Sequence, residues 1–291
     1  MENIPANVPL LLTINHPNSF LDAVLVGAYL NRSTYFLARG DAFQNKIILP
    51  VLKALHMLPV YRLSEGKNNL SKNTETFDAC QAILKERKIV LIFAEGLSEN
   101  NWELRSLKKG PARIALKAWN SNTPAKELQV IPIGLTYEHY SGGGKNILIN
   151  IGKPVTAKEF PENDSEAFFV KTFNQKISVA LIDLIYINKD MIEDTPFHHK
   201  FRAKFQQLVK ENKSAPEVIN GLHELSATAT FSTSMRLKQT LLFWPLYAAC
   251  GNITKQLIKS KLFFDSISFG LFLFLWPVYL LLILLVLSVF L

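Results

Sequence analysis

Short apolar runs punctuate the first half of the chain, at residues 8–14, 34–38, 57–61, 88–93 and 129–135. Several are apolar at almost every position instead of at alternate ones, the pattern of strands covered on both faces. Between them, residues 19–30, 41–55, 74–87 and 111–119 carry apolar side chains at helical spacing. In the third of these Phe77, Cys80, Ile83 and Leu84 share one face, behind an N-cap candidate at Asn73. Gly110-Pro111 opens the fourth, because proline at the first helical position gives up no needed hydrogen bond. Regular alternation of strand and helix predicts an α/β domain: a central, mostly parallel sheet flanked by helices. The stretch "YSGGGKN", Tyr140 to Asn146, is turn chemistry expected to join two late strands.

From about Phe160 the texture changes to helices without strands. Phe168, Phe173, Ile177, Leu181 and Leu184 form an apolar stripe that marks a packing helix. The last segment is different again. Ser266 to Leu291 contains no charged residue, and as a helix it would reach roughly 39 Å, enough to cross a hydrocarbon core. Upstream, "TLLFWPLYAACGNI" is apolar but broken by Pro245 and Gly251, which suits an interfacial or re-entrant segment. Lys255, Lys259 and Lys261 lie between the two and favour the cytoplasmic side. The expected organisation is an α/β domain over residues 1–158, a helical extension over 159–238, and a membrane-associated and transmembrane tail over 239–291.

Composition sharpens this picture. The 291 residues are 48% hydrophobic, with a formal net charge of +8. A basic, greasy chain suits an anionic membrane surface, and no nucleic-acid-binding module is present, so nucleic acid is not an expected partner. Two cysteines, Cys80 and Cys250, far apart in the chain, imply a reducing compartment without a disulfide framework. The opening "MENIPANVP" has neither the basic start nor the apolar run of a secretory signal. Adjacent His198 and His199 cannot share a helix face, which argues against a metal pair. Gly66-Lys67 has no glycine-rich loop before it, so it is not a nucleotide P-loop. No metal and no cofactor is expected.

The candidate chemistry begins at "TINHPNSFLDA", Thr13 to Ala23. As structure, Ser19-x-x-Asp22 fits a capping box, and His16 is then a loop histidine before a proline. As chemistry, Pro17 keeps His16 out of the helical conformation, and a carboxylate in the first helical turn can point back at it. Asp22 would then fix the imidazole tautomer while His16 takes a proton from a hydroxyl. Spacing alone leaves both open. A second candidate is "VLIFAEGLSEN", where an apolar strand stops at Ala94-Glu95-Gly96, the usual place for ligand contacts in an α/β sheet. Arg62 after the third strand, and Lys108 and Lys109 before a helix start, are natural phosphate binders. Ser19 and Ser98 lack the strand-elbow-helix setting of a hydrolase nucleophile, which disfavours a serine hydrolase or thioesterase.

Asn15-His16 with Asp22, then Val60-Tyr61-Arg62, then Phe93-Ala94-Glu95-Gly96 with Ser98, then Val130-Ile131-Pro132-Ile133-Gly134 resemble, in that order, the glycerolipid acyltransferase family. The resemblance covers roughly residues 2–155. It implies a membrane enzyme that moves a fatty acyl group from acyl-CoA or acyl-carrier protein to a hydroxyl of glycerol 3-phosphate, dihydroxyacetone phosphate or 1-acyl-glycerol 3-phosphate. By the same resemblance His16 and Asp22 are the catalytic pair, and Arg62 grips the acceptor phosphate with Lys109 as a further contact. Glu95 and Gly96 shape the acceptor site, and Pro132 belongs to the acyl-donor region. Five residues separate His16 from Asp22 where the family usually has four, which is similar to a branch that also carries C-terminal apolar segments. Ala94 stands where proline is usual. Few residues precede His16, so anchoring is expected from the tail, with the catalytic domain on the cytoplasmic side. The alternative to an enzyme is a non-catalytic lipid-binding membrane protein on the same scaffold.

Overall fold

The computed structural model describes residues 4–46, 49–61, 72–142, 144–161, 165–225, 244–257 and 264–290. Its centre is a six-stranded sheet formed by β1 (Leu10–Ile14), β2 (Thr34–Arg39), β3 (Met57–Val60), β4 (Ile89–Phe93), β5 (Gln129–Tyr137) and β6 (Ile147–Ile151). The order across the sheet is β3-β2-β4-β1-β5-β6. Every pairing is parallel except β5 with β6, which is antiparallel across the turn expected at Tyr140–Asn146. The mostly parallel α/β sheet expected from the alternating runs is therefore present.

Among the described residues, the first two-thirds of the chain carry the helices α1 (Ser19–Ala28), α2 (Leu49–Ala54), α3 (Lys72–Lys85), α4 (Gly110–Trp119) and α5 (Glu166–Ile182). After them come α6 (Pro196–Lys210), α7 (Ala215–His223), α8 (Trp244–Leu257) and α9 (Phe264–Phe290). The sheet has a core on each face, as its continuous apolar runs require. Leu11, Val90 and Val130 point to one side, with Ile83, Leu84, Ile114, Trp119, Phe173 and Ile177 of α3, α4 and α5. Leu10, Leu12, Ile14, Ile131 and Ile133 point to the other, with Val26 of α1, Phe201 and Phe205 of α6 and Ile219 of α7. At Gly134 a Cβ would come within 2.5 Å of the Leu184 carbonyl, so only glycine lets the chain after α5 press this closely on β5.

Several local expectations need correction. The helix expected over 41–55 is instead a 3-10 turn, Gly40–Gln44, and the short α2. Asn73 is not a cap. It lies inside α3, and its side-chain amide takes the Tyr61 N–H (2.8 Å) and donates to the Tyr61 carbonyl (2.8 Å), tying the helix to the end of β3. Phe168 is half exposed, and the buried stripe of α5 runs through Phe169, Val170, Phe173, Ile177 and Leu181. Phe173, Ile177 and Leu181 of the expected stripe are therefore buried, and Phe169 takes the place of Phe168 at its start, just after the Ser165 cap. His198 takes a structural role that the sequence did not suggest. Buried, it accepts the Asp194 N–H at Nδ1 and donates from Nε2 to the Glu138 carbonyl at 3.1 Å, and burial lowers its proton affinity. Glu138 in turn accepts from Asn146, Arg202 and Gln206, hydrogen bonds that outweigh its burial and hold it ionised. That carboxylate ties α6 to the β5–β6 turn.

Helix α9 is the one described helix long and apolar enough to cross a membrane, through Ser266–Ile283. It packs along α8 and touches α1, while Leu273, Phe274, Val278, Leu281 and Leu282 remain exposed.

Candidate active site

The carboxyl ends of β1 and β4 lie side by side, with Ile14 paired to Phe93. The chain leaves β1 into α1 on one face of the sheet and leaves β4 towards α4 on the other. Such a divergence opens a crevice at the strand ends, the general place for ligands in an open α/β sheet. His16 and Glu95 stand at matching heights on its two lips.

Asn15 is what allows the departure. Its side chain continues the ladder towards β5 where the backbone stops, with Oδ1 accepting the Leu135 N–H at 2.7 Å and Nδ2 donating to the Leu135 carbonyl at 3.0 Å. The backbone is then free to turn outward at His16. Pro17 holds it extended there, and α1 starts at Ser19, with Asn18 rather than Ser19 as its N-cap and Ser19 at a positive φ of 52°. Ser19 therefore does not close a capping box. Its N–H donates to Ser98 Oγ at 2.6 Å, pinning the start of α1 to the loop after β4.

The Asp22 side chain has no solvent exposure. Its Oδ2 accepts from His16 Nδ1 at 2.9 Å and from the Asn18 N–H at 2.8 Å, and its Oδ1 accepts the Tyr137 hydroxyl at 2.7 Å. The capping and chemical alternatives thus coincide in one carboxylate, which satisfies a backbone donor of the helix start and holds the histidine. Facing a carboxylate, Nδ1 carries the proton, and Nε2 is left as the basic nitrogen. Nε2 makes no hydrogen bond to a described residue, and the His16 side chain keeps 15% of its surface exposed. The ring lies flat on Phe93, centroids 3.9 Å apart and planes within 13°, which fixes its orientation from the second side.

Glu95 is almost fully buried. Its Oε1 accepts the His16 backbone N–H at 2.8 Å, and its Oε2 accepts Arg105 Nε at 2.8 Å and the Arg105 N–H at 3.2 Å. Arg105 also pairs with Glu99 at 3.0 Å and donates to the Leu97 carbonyl. Both oxygens of Glu95 are thereby committed to shaping the loops. Gly96, at φ 69°, turns the chain back under the Lys108 side chain, whose Cγ would lie 2.9 Å from a Cβ at this position. Ala94 donates its N–H to the Ile14 carbonyl at 2.9 Å, a ladder bond that proline could not make.

Not every candidate from the sequence gathers here. Lys109 is exposed as the N-cap of α4, and it is Lys108 that lies over Gly96. Pro132 is buried in β5 on the face opposite Tyr137, where a Cβ on Gly152 would come within 2.8 Å of its ring. Arg62 lies outside the described residues. Sequence reasoning missed Tyr137 and Arg105. Extending the strand beyond Leu135 in steps of two would have put Tyr137 on the face of Ile14, and the buried-looking Glu95 called for a cation on the following loop. Behind the dyad, Tyr140 packs between Trp102 and Tyr137, and its phenol is pushed well above the ordinary range by burial and then by the charges of Asp22, Glu193 and Glu95.

Comparison with known proteins agrees with the motifs. Residues 1–136 match the family model described as Acyltransferase. A 1-acyl-sn-glycerol-3-phosphate acyltransferase of Bacillus subtilis (strain 168) is 28% identical over 186 residues, covering 60% of this chain and 83% of that protein. The crystal structure of the 1-acyl-sn-glycerophosphate (LPA) acyltransferase PlsC from Thermotoga maritima aligns with a TM-score of 0.41 at 18% identity, over 62% of this chain and 69% of that one. The stretch matched by the Acyltransferase model holds His16, Asp22, Glu95 and Gly96, and over it the chain is similar to that family.

The pairing of Glu95 with Arg105 gives a direct test of how the lip is built. Removing one member of a buried ion pair strands the other and costs about 3 kcal/mol. Arg105→Met is expected to lower the thermal unfolding midpoint in detergent by about 6–12 °C. A midpoint within a degree of the unaltered protein would show that Glu95 does not depend on this cation.

Proposed function

We propose that this protein transfers a fatty acyl group from a thioester, acyl-CoA or acyl-carrier protein, to the free hydroxyl of 1-acyl-glycerol 3-phosphate. The observation that carries the proposal is the His16–Asp22 pair: a buried carboxylate on Nδ1 and an Nε2 without a hydrogen bond to a described residue, at the mouth of the strand-end crevice. The name of the Bacillus relative supports the choice of acceptor. Glycerol 3-phosphate and dihydroxyacetone phosphate share its phosphate and are the alternatives to assay beside it.

In this mechanism Nε2 of His16 takes the acceptor's hydroxyl proton as the oxygen attacks the thioester carbonyl. Asp22 keeps Nδ1 protonated and stabilises the imidazolium that forms. The tetrahedral intermediate collapses to the ester, and the imidazolium returns the proton to the departing thiolate. Direct attack is favoured because, among the described residues, no second nucleophile accompanies the dyad. Cys80 is buried in α3, where desolvation pushes its thiol up to about 12. Ser98 is held by the Ser19 N–H, and neither serine hydrogen-bonds to His16. Arg62 and Lys109 are the proposed phosphate contacts. Gly96 gives the acceptor close access to the lip, and Glu95 acts on the acceptor through the loop it holds. Pro132 is retained as a wall of the acyl-donor region.

The acyl substrates and product partition into bilayers, and α9 supplies an apolar helix for the same phase. Its 27 residues reach roughly 40 Å as a helix, and its exposed leucines and phenylalanines would be costly in water. The contact of α9 with α1 supports a dyad near the bilayer surface. Phe20 and Leu97, exposed beside the Ser19–Ser98 contact, add an apolar rim there. Exposed Lys255 and the positive overall charge favour the cytoplasmic leaflet, on the side where the water-soluble thioester is available.

Loss of a general base costs about 10²–10⁴-fold in rate. His16→Ala and Asp22→Asn are each expected to fall in that range when transfer of a labelled acyl group to 1-acyl-glycerol 3-phosphate is measured. Rates near that of the unaltered protein in both would end the mechanism. Full-length protein is expected to stay with membranes through an alkaline carbonate wash, and truncation after Lys238 to release it. Extraction of the full-length chain by carbonate would replace the spanning tail with surface binding.

A further inference from the structure

We propose that Tyr137 is a positioning residue of the dyad, setting the charge and orientation of Asp22 and through it the basicity of His16; this rests on the reading of His16 as the general base. The phenol is fully buried, and its hydroxyl reaches Asp22 Oδ1 at 2.7 Å, the oxygen that neither His16 nor the Asn18 N–H uses. A carboxylate held only at Oδ2 can rotate about its own axis. The third donor stops that rotation and keeps Oδ2 in the plane of the imidazole.

The placement is rigid. Tyr137 is the last residue of β5 and pairs with Ile147 of β6. Two residues earlier, Leu135 is clamped by both polar atoms of the Asn15 side chain. The distance from phenol to carboxylate is therefore fixed by the same strand register that places His16. Lys145 adds an electronic effect. Its ammonium lies 5.7 Å from the Tyr137 ring centroid, where it draws on the π-cloud and makes the hydroxyl a better donor.

A donor on Oδ1 spreads the negative charge that Asp22 offers to the imidazolium. Removing it concentrates that charge on Oδ2, so the protonated histidine persists to higher pH. The other ionisable groups around the dyad are Glu95 with Arg105 from the loop after β4, Tyr140 and Lys145 from the β5–β6 turn, and Glu193. They are the same in each enzyme compared, as is the acceptor phosphate, so a difference between enzymes reports the phenol.

The test is the pH dependence of kcat/KM for acyl transfer to 1-acyl-glycerol 3-phosphate by the full chain in detergent. Tyr137→Phe is expected to lower kcat/KM by about tenfold and to move the acid limb up by about one pH unit. A chain carrying 3-fluorotyrosine in place of Tyr137, with a more acidic phenol and nearly the same shape, is expected to move the limb down. It decides the matter alone if the phenylalanine variant does not fold. An acid limb that stays in place, or moves the opposite way, would overturn the proposal even if the rate falls, because a rate loss alone fits a purely structural role. An active His16→Ala enzyme would instead remove the dyad reading on which this one stands.

Discussion

A carboxylate taken out of water carries a desolvation cost of several kcal/mol, and it stays charged only where donors replace the lost hydration. Asp22 is in that position, and hydrogen bonds to a charged group contribute roughly 1.5–3 kcal/mol each. Three such donors converge on it, from His16, the Asn18 backbone and Tyr137. Their combined worth is of the order of the cost, so the ionised carboxylate is sustainable but no donor is spare. That constraint explains why the start of α1, the end of β5 and the loop carrying His16 must meet at one point.

The meeting depends on register. Parallel pairing of β1 with β4 puts His16 level with Glu95, and pairing of β1 with β5 brings Tyr137 across the strand end. Each departure of the backbone from the sheet is compensated by a side chain. Asn15 continues the ladder, Glu95 takes the His16 N–H, and Arg105 neutralises Glu95. Ala94 contributes in a way its sequence context did not suggest. Proline at this point would stiffen the loop, whereas alanine adds a ladder bond between β4 and β1, so the strand ends are held together by hydrogen bonding.

Much of this was legible beforehand. Continuous apolar runs identified a doubly covered sheet, and "NHPNSFLD" placed a histidine and a carboxylate within reach. Boundaries failed where a local cue was ambiguous. Asn73 looked like a cap because asparagine often is one, but its amide was committed to Tyr61. Ser19 fitted a capping box, yet its N–H was taken by a serine nearly eighty positions away in the chain. Contacts of that kind leave no periodic trace. Tyr137 escaped because β5 runs two residues beyond the expected end at Leu135, and Arg105 because its partner is set by the path of the loop after β4. His198 and His199 gave only the negative reading that adjacent histidines do not pair on a metal, and the structural role of His198 against the Glu138 carbonyl was not legible.

The claim at the centre is that Asp22 holds His16 as the Nδ1–H tautomer with Nε2 unprotonated. Nitrogen NMR of ¹⁵N-histidine-labelled protein, with the His16 resonances assigned by loss in His16→Gln, observes this directly. The expected spectrum at a pH above the acid limb shows a protonated Nδ1 with a strongly downfield proton and a bare Nε2, and a mixture of tautomers in Asp22→Asn. A proton found mainly on Nε2 of the unaltered protein would contradict it, because that nitrogen could not then accept the hydroxyl proton.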